Sequence, residues 1–181
     1  MSDRLRGRTA LVTGAARRGG IGRAIVTALA EEGADIAIND LDRAEEGEEI
    51  ATAIRALGRR AVVLEADVTQ VAACRGLIER TIRALGHLDI LVNNAGFAQH
   101  KPFADITEAD FDLSAGLHLK APFFLSQAAA PHMRERGFGR IINISSEQAY
   151  IGYPGLVHYT ATKAGLRDRK STRLNSSHGI I

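Results

Sequence analysis

Thr9-Ala-Leu-Val-Thr-Gly-Ala-Ala-Arg-Arg-Gly-Gly-Ile-Gly22 is a short apolar run that opens into a glycine-rich loop, and the helical pattern from Arg23 to Glu32 that follows is stopped by Gly33. The order strand, glycine loop, helix predicts a unit in which the backbone turns tightly and approaches a ligand closely. The unpaired N–H groups at the start of such a helix attract a phosphate. Gly14, Gly20, Ile21 and Gly22 are the candidate phosphate-binding positions. A glycine-rich turn alone says little, so the reading depends on what surrounds it.

Outward from this loop the chain alternates. A second strand, Ala34 to Asn39, ends at Asp40, 18 residues beyond Gly22, where a carboxylate can accept hydrogen bonds from a ribose 2'-hydroxyl and repel a 2'-phosphate. This favours NAD over NADP, with Arg17 and Arg18 as cations able to pair with such a phosphate. Asp42 is a candidate cap for a helix over about Arg43 to Leu57. A third strand, Ala61 to Ala66, runs into Asp67-Val68, and after a helix over about Ala72 to Leu85 a fourth, Leu88 to Val92, delivers Asn93-Asn94-Ala95-Gly96. Regular alternation with near-continuous apolar strands predicts an α/β fold, a doubly wound parallel sheet of Rossmann type with helices on both faces. Ligands then bind at the carboxyl ends of the strands, where all these loops fall.

Thr107 reads as the N-cap of a long helix, Glu108 to about Arg136, with Pro122 and Pro131 predicting a kink or break. A fifth strand, Arg140 to Ile144, presents Ser145-Ser146, and a last helix carries Tyr159 and Lys163. Four residues apart on a helix, a phenol and an ammonium share one face, and a nearby cation favours the phenolate. The same spacing also occurs by chance on surface helices.

The 181 residues suit one domain, and 45% apolar content fits a globular chain. Cys74 is the single cysteine, so an intrachain disulfide and a multi-cysteine metal site are excluded, and the six histidines show no ligand spacing; no metal is expected. The charge surplus of two is accounted for by Arg169, Lys170 and Arg173 against Asp168, so no basic footprint for nucleic acid is expected. No run of about 18 apolar residues predicts a membrane span, and the N-terminal residues carry no apolar signal core, so a cytoplasmic location is expected. Residues 168–181 break the preceding apolar pattern and look like the in-frame translation of a sequencing-library adapter, which leaves 1–167 as the expected domain.

Together, Thr13-Gly14 to Gly20-Ile21-Gly22, Asn93 to Gly96, Ser146 and Tyr159-x-x-x-Lys163 resemble the short-chain dehydrogenase/reductase family from about Leu5 to Arg167. The resemblance implies that Ser146 binds a carbonyl, that Tyr159 exchanges its proton, and that Lys163 assists Tyr159 and holds the nicotinamide ribose. It also places Gly14, Ile21 and Gly22 on the pyrophosphate, Asp67 and Val68 on adenine, and Asn94, Ala95 and Gly96 behind the cofactor. Two departures stand out: five residues rather than three separate Gly14 from Gly20, and His118 takes the place of the family's relay asparagine. Histidine donates, accepts and ordinarily titrates near neutrality, so His118 is either a relay residue or a packed helix histidine.

The implied activity is interconversion of a secondary alcohol and a ketone with NAD(H), in the manner of 3-oxoacyl reductases and sugar-alcohol enzymes, by a homotetramer or homodimer. Two alternatives are a non-catalytic nucleotide-sensing module of the same fold and an inactive fragment. Family members continue past Arg167, so the resemblance implies a chain incomplete at its C-terminus, poorly soluble and weakly active.

Overall fold

A computed structural model describes residues 3–167. The proposed tail at 168–181 lies outside the described residues. Five strands, β1 (Thr9–Thr13), β2 (Asp35–Asp40), β3 (Ala61–Glu65), β4 (Ile90–Asn93) and β5 (Arg140–Asn143), form one sheet in the order β3-β2-β1-β4-β5. All four pairings are parallel, in agreement with the alternating sequence.

Register explains why the apolar runs are continuous. Leu11 pairs with Ala37 and Leu91, while Ala10 and Val12 pair with Ile36, Ile38, Ile90 and Val92. Because successive strand residues point to opposite faces, both sets are buried, one on each side. The first face packs on α3 (Val71–Leu85) and α5 (Ala121–Glu135) through Leu77, Leu85, Leu125 and Met133. The second packs on α1 (Ile21–Glu31) and α2 (Ala44–Ala56) through Val26, Ala30, Ile50 and Ile54. Each Leu or Ile so buried contributes about 1.5–3 kcal/mol relative to exposure.

Strand order reverses at β1, so the chain leaves β1 and β4 toward opposite faces and opens a crevice at their carboxyl ends. Gly14 and Ala95 meet there: a Cβ on Gly14 would lie 2.8 Å from Ala95 Cα.

The long helix after Thr107 differs from expectation. The capping box is present: Asp110 N–H donates to Thr107 Oγ1 (3.2 Å), and Thr107 N–H donates to the Asp110 carboxylate (2.8 Å). The helix, however, is divided into α4 (Glu108–Ala115), a π-helical turn (Gly116–Lys120) and α5. Ala121 N–H reaches back five residues to Gly116 O. Pro122 has no N–H to give His118 O, which favours the wider turn, whereas Pro131 lies inside α5 without ending it. Asp42 does not cap α2: it has φ +54°, and the N-cap position falls on Arg43 with no side-chain cap bond. The last described helix, α6 (Val157–Arg167), packs against α4, the π turn and the 3-10 turn Glu147–Ala149 that follows β5. No described helix is long and apolar enough to cross a membrane.

Candidate active site

The site is assembled by the loops at the carboxyl ends of the strands. After β1, Gly14 adopts φ +62°, which favours glycine, and the chain passes over the start of α1. A Cβ on Gly22 would lie 2.5 Å from Gly14 O, 2.5 Å from Asn94 Nδ2 and 2.9 Å from Ala15 Cα. The β1 loop, α1 and the β4 loop therefore close on one another only because Gly22 lacks a side chain. Asn94 secures the closure, its Nδ2 donating to Thr13 O (2.8 Å) and Gly14 O (3.0 Å). Thr13 completes it by accepting from the N–H groups of Asn94 and Ala95 at its Oγ1 (3.1 and 3.0 Å).

The N-cap of α1 is Gly20, which has no capping side chain, and the first turn carries no acid. The helix dipole and first-turn N–H groups are thus open to an anion, beside an Ile21 side chain that is 67% exposed. These features fit a dinucleotide diphosphate. Asp40 stands next along the sheet edge, its carboxylate accepting from Ala16 N–H (2.9 Å) and Leu41 N–H (2.9 Å). The two extra loop residues reach toward α2: Arg18 N–H donates to Glu46 (3.0 Å), and its guanidinium pairs with Glu49 (2.6 Å). Arg18 is thereby committed to α2. Arg17 is exposed and forms no ion pair among the described residues.

After β3, Asp67 accepts from the N–H (2.9 Å) and hydroxyl (2.7 Å) of Thr69. Burial opposes its charged form, but these hydrogen bonds outweigh it and hold the carboxyl below its ordinary value. Val68 is buried beside it.

On the other side of the crevice, Lys163 is 5% exposed and donates to Ile144 O through Nζ (2.8 Å), while Ser145 Oγ donates to Lys163 O (3.4 Å). These bonds tie α6 to the end of β5. Burial lowers the Lys163 ammonium from 10.5 to about 8, leaving it mostly charged at neutral pH. Its Nζ is 5.8 Å from the centroid of the Tyr159 ring, and that ring meets His118 edge-on at 5.1 Å between centroids. Gly96 completes the group: a Cβ there would lie 2.8 Å from His118 Nε2 and 3.7 Å from Lys163 Nζ. Ser146 caps the 3-10 turn, its Oγ accepting from Gln148 N–H (3.1 Å), which leaves its hydroxyl hydrogen free to donate to a ligand. Arg167 Nη1 binds Ala149 O (3.0 Å), which ties that turn to α6.

Gly96, His118, Tyr159 and Lys163 thus converge, with Ser146 on the turn that α6 packs against. The expectation that His118 titrates near neutrality is corrected. Burial, with the positive charge of Lys163 behind it, lowers its pKa to about 3. The sequence reading missed Ser114 and Thr162, whose hydroxyls lie 3.2 and 3.0 Å from His118 Nδ1. Ser114 was detectable four residues before His118 on a helix, but Thr162 is brought in from 44 positions away.

A family model for short chain dehydrogenases matches residues 8–173. The chain belongs to the short-chain dehydrogenase family. It is 37% identical to a 3-oxoacyl-(acyl-carrier-protein) reductase of Staphylococcus aureus over 96% of this chain and 70% of that one. Among solved structures it is similar to a short chain dehydrogenase from Burkholderia cenocepacia in complex with NADP, 41% identical with TM-score 0.84, over 90% of this chain and 65% of that one. A dehydrogenase/reductase from Sinorhizobium meliloti matches at 40% identity and TM-score 0.84, over 91% of this chain and 64% of that one. The chain spans 62–64% of the length of several curated relatives that it matches. As a short-chain dehydrogenase it is an oxidoreductase fold built for a nicotinamide cofactor, and the glycine cradle at Gly14 and Gly22 fits that cofactor. The longer loop at Arg17–Gly19 and the buried His118 are this member's own features within the short-chain dehydrogenase site.

Proposed function

We propose that the protein interconverts a ketone and a secondary alcohol with NAD(H), Tyr159 exchanging the proton on the substrate oxygen. The observation that carries this reading is the convergence of Tyr159, Lys163 and Gly96 at the carboxyl end of the sheet, beside the diphosphate cradle. In this reading Gly14, Gly20, Ile21 and Gly22 hold the diphosphate, Asp40 the adenosine ribose, Asp67 and Val68 the adenine, and Asn94 to Gly96 back the nicotinamide. The nicotinamide, when bound, supplies or takes up the hydride at the substrate carbon.

Ser146 donates its hydroxyl hydrogen to the carbonyl oxygen and fixes its position. Tyr159 gives its phenolic proton to that oxygen as it gains negative charge, and takes it back in the reverse direction. Lys163 spends one N–H on Ile144 O and keeps two for a ribose hydroxyl and the Tyr159 side of the site. A 3-oxoacyl or sugar-derived ketone is the substrate class that the carrier-protein reductase relative supports. The exposed rings Phe111 and Phe123, on α4 and α5, suit a homodimer or homotetramer.

Asp40 favours NAD, because its charge stands where a 2'-phosphate would lie. NADP is the second reading, favoured by the uncommitted Arg17 and by the relative bound to NADP. Kinetics of the whole protein on a ketone panel test both. Turnover is expected, with kcat/KM higher for NADH than for NADPH. Asp40→Asn should raise the NADPH-to-NADH ratio by about 10- to 100-fold, the worth of one charge-assisted hydrogen bond and one removed repulsion. A wild type that prefers NADPH would refute the Asp40 reading. Dinucleotide binding with no turnover would favour a sensing module.

A further inference from the structure

His118 is 1% exposed and lies in the π turn, yet its Nε2 has no hydrogen-bond partner among the described residues. A buried polar atom without a partner is costly, so its direction matters. Nε2 faces Gly96 Cα, in the small space that also receives Lys163 Nζ and borders the Tyr159 ring.

The hydrogen bonds on the other side of the ring settle which nitrogen carries the proton. Thr162 Oγ1 donates its only hydrogen to Tyr159 O (2.9 Å), so at its 3.0 Å contact with His118 Nδ1 it accepts. Ser114 Oγ, 3.2 Å from both Nδ1 and Thr162 Oγ1, can then donate to Thr162. Every hydrogen in the cluster is placed when Nδ1 is protonated. The opposite tautomer would aim an Nε2–H donor at the space occupied by an ammonium, where two donors would face each other.

The geometry points to His118 as a positioning residue that stays neutral, carries its proton on Nδ1, and presents Nε2 as the acceptor for the Lys163 ammonium, directly or through one water. This deepens the proposed ketone reduction and rests on it. Lys163 is held from two sides, by Ile144 O and by Nε2, which fixes the cation beside the phenol that must exchange its proton. The low pKa of His118 agrees, since an imidazolium there would oppose Lys163. His118 therefore orients the proton path and does not store the proton.

Gln places a polar atom near Nε2, and Asn places one near Nδ1, so the two variants separate the two edges of the ring. His118→Leu and His118→Asn should lower kcat by about 10- to 100-fold, the scale of a misplaced catalytic group, with ketone KM little changed. His118→Gln should keep kcat within about fivefold. Nitrogen-15 NMR of the imidazole at neutral pH should show an unprotonated Nε2 and a protonated Nδ1, a readout that needs no turnover. If Asn rescued and Gln did not, the role would lie in the Ser114 and Thr162 contacts, and the inference would fall. Equal activity in all three variants, or a protonated Nε2, would overturn it as well. Absence of turnover in the wild type would instead overturn the ketone-reductase reading and with it any role in catalysis, while the nitrogen shifts would still decide whether Nε2 is an acceptor.

Discussion

Tyr159→Phe is expected to lower kcat by between about 10² and 10⁴, the range that a positioned general acid contributes, while the dissociation constant for NADH changes little. The substitution removes one oxygen and keeps the ring, so the edge-on contact with His118 and the packing of α6 on α4 persist. Removal of Lys163 would be a poorer test, because its Nζ bond to Ile144 O also joins α6 to β5 and its loss would mix catalysis with folding. If the phenol is the proton donor, the loss falls on kcat and kcat/KM together, as for an interaction made only in the transition state. Retained turnover would mean that another group protonates the substrate oxygen.

Gly22→Ala should cost stability and cofactor affinity together. The new methyl would lie 2.5 Å from Gly14 O and 2.9 Å from Ala15 Cα, both backbone atoms that cannot rotate away. Overpacking of this kind costs about 1–3 kcal/mol, a fall in Tm of a few degrees per kcal/mol for a domain of this size. Relief requires the glycine loop to move off α1, which displaces the N–H groups that face the diphosphate. Two charge-assisted hydrogen bonds lost at about 1.5 kcal/mol each correspond to a roughly 100-fold rise in the NADH dissociation constant. Calorimetry and a thermal melt on one sample would read both effects. Unchanged affinity would show that the diphosphate does not sit at the start of α1.

The fold was largely legible because its causes are local and repetitive. Alternating apolar runs and glycine stops set strand and helix order, and the two-sided burial of Leu11 against Ala10 and Val12 follows from period two. The π turn was not legible: Glu108 to Arg136 carries one helical pattern, and prolines were the only visible breakers. The break lies at Gly116–Lys120, just before the missing N–H of Pro122.

At the site, the motif spacing picked out Gly14, Gly22, Tyr159 and Lys163, each of which touches a partner that explains its identity. What spacing could not supply was the state of His118. Its usual chemistry suggests a proton carrier, but that depends on solvent access, and access is removed by α4, α6 and the Gly96 loop, elements far apart in the chain. The commitment of Arg18 to Glu46 and Glu49, as opposed to Arg17, likewise depends on the position of α2 and is invisible in the loop itself.

The central claim is that the dinucleotide reduces the substrate carbon while Tyr159 handles the oxygen's proton. Reduction of a ketone by the whole protein with NADH deuterated at the transferred position tests it most directly, with the product analysed by mass spectrometry and NMR. One deuterium on the carbinol carbon is predicted, and none there when unlabelled NADH is used in heavy water. A product without deuterium from the cofactor, or with solvent deuterium on carbon, would contradict it.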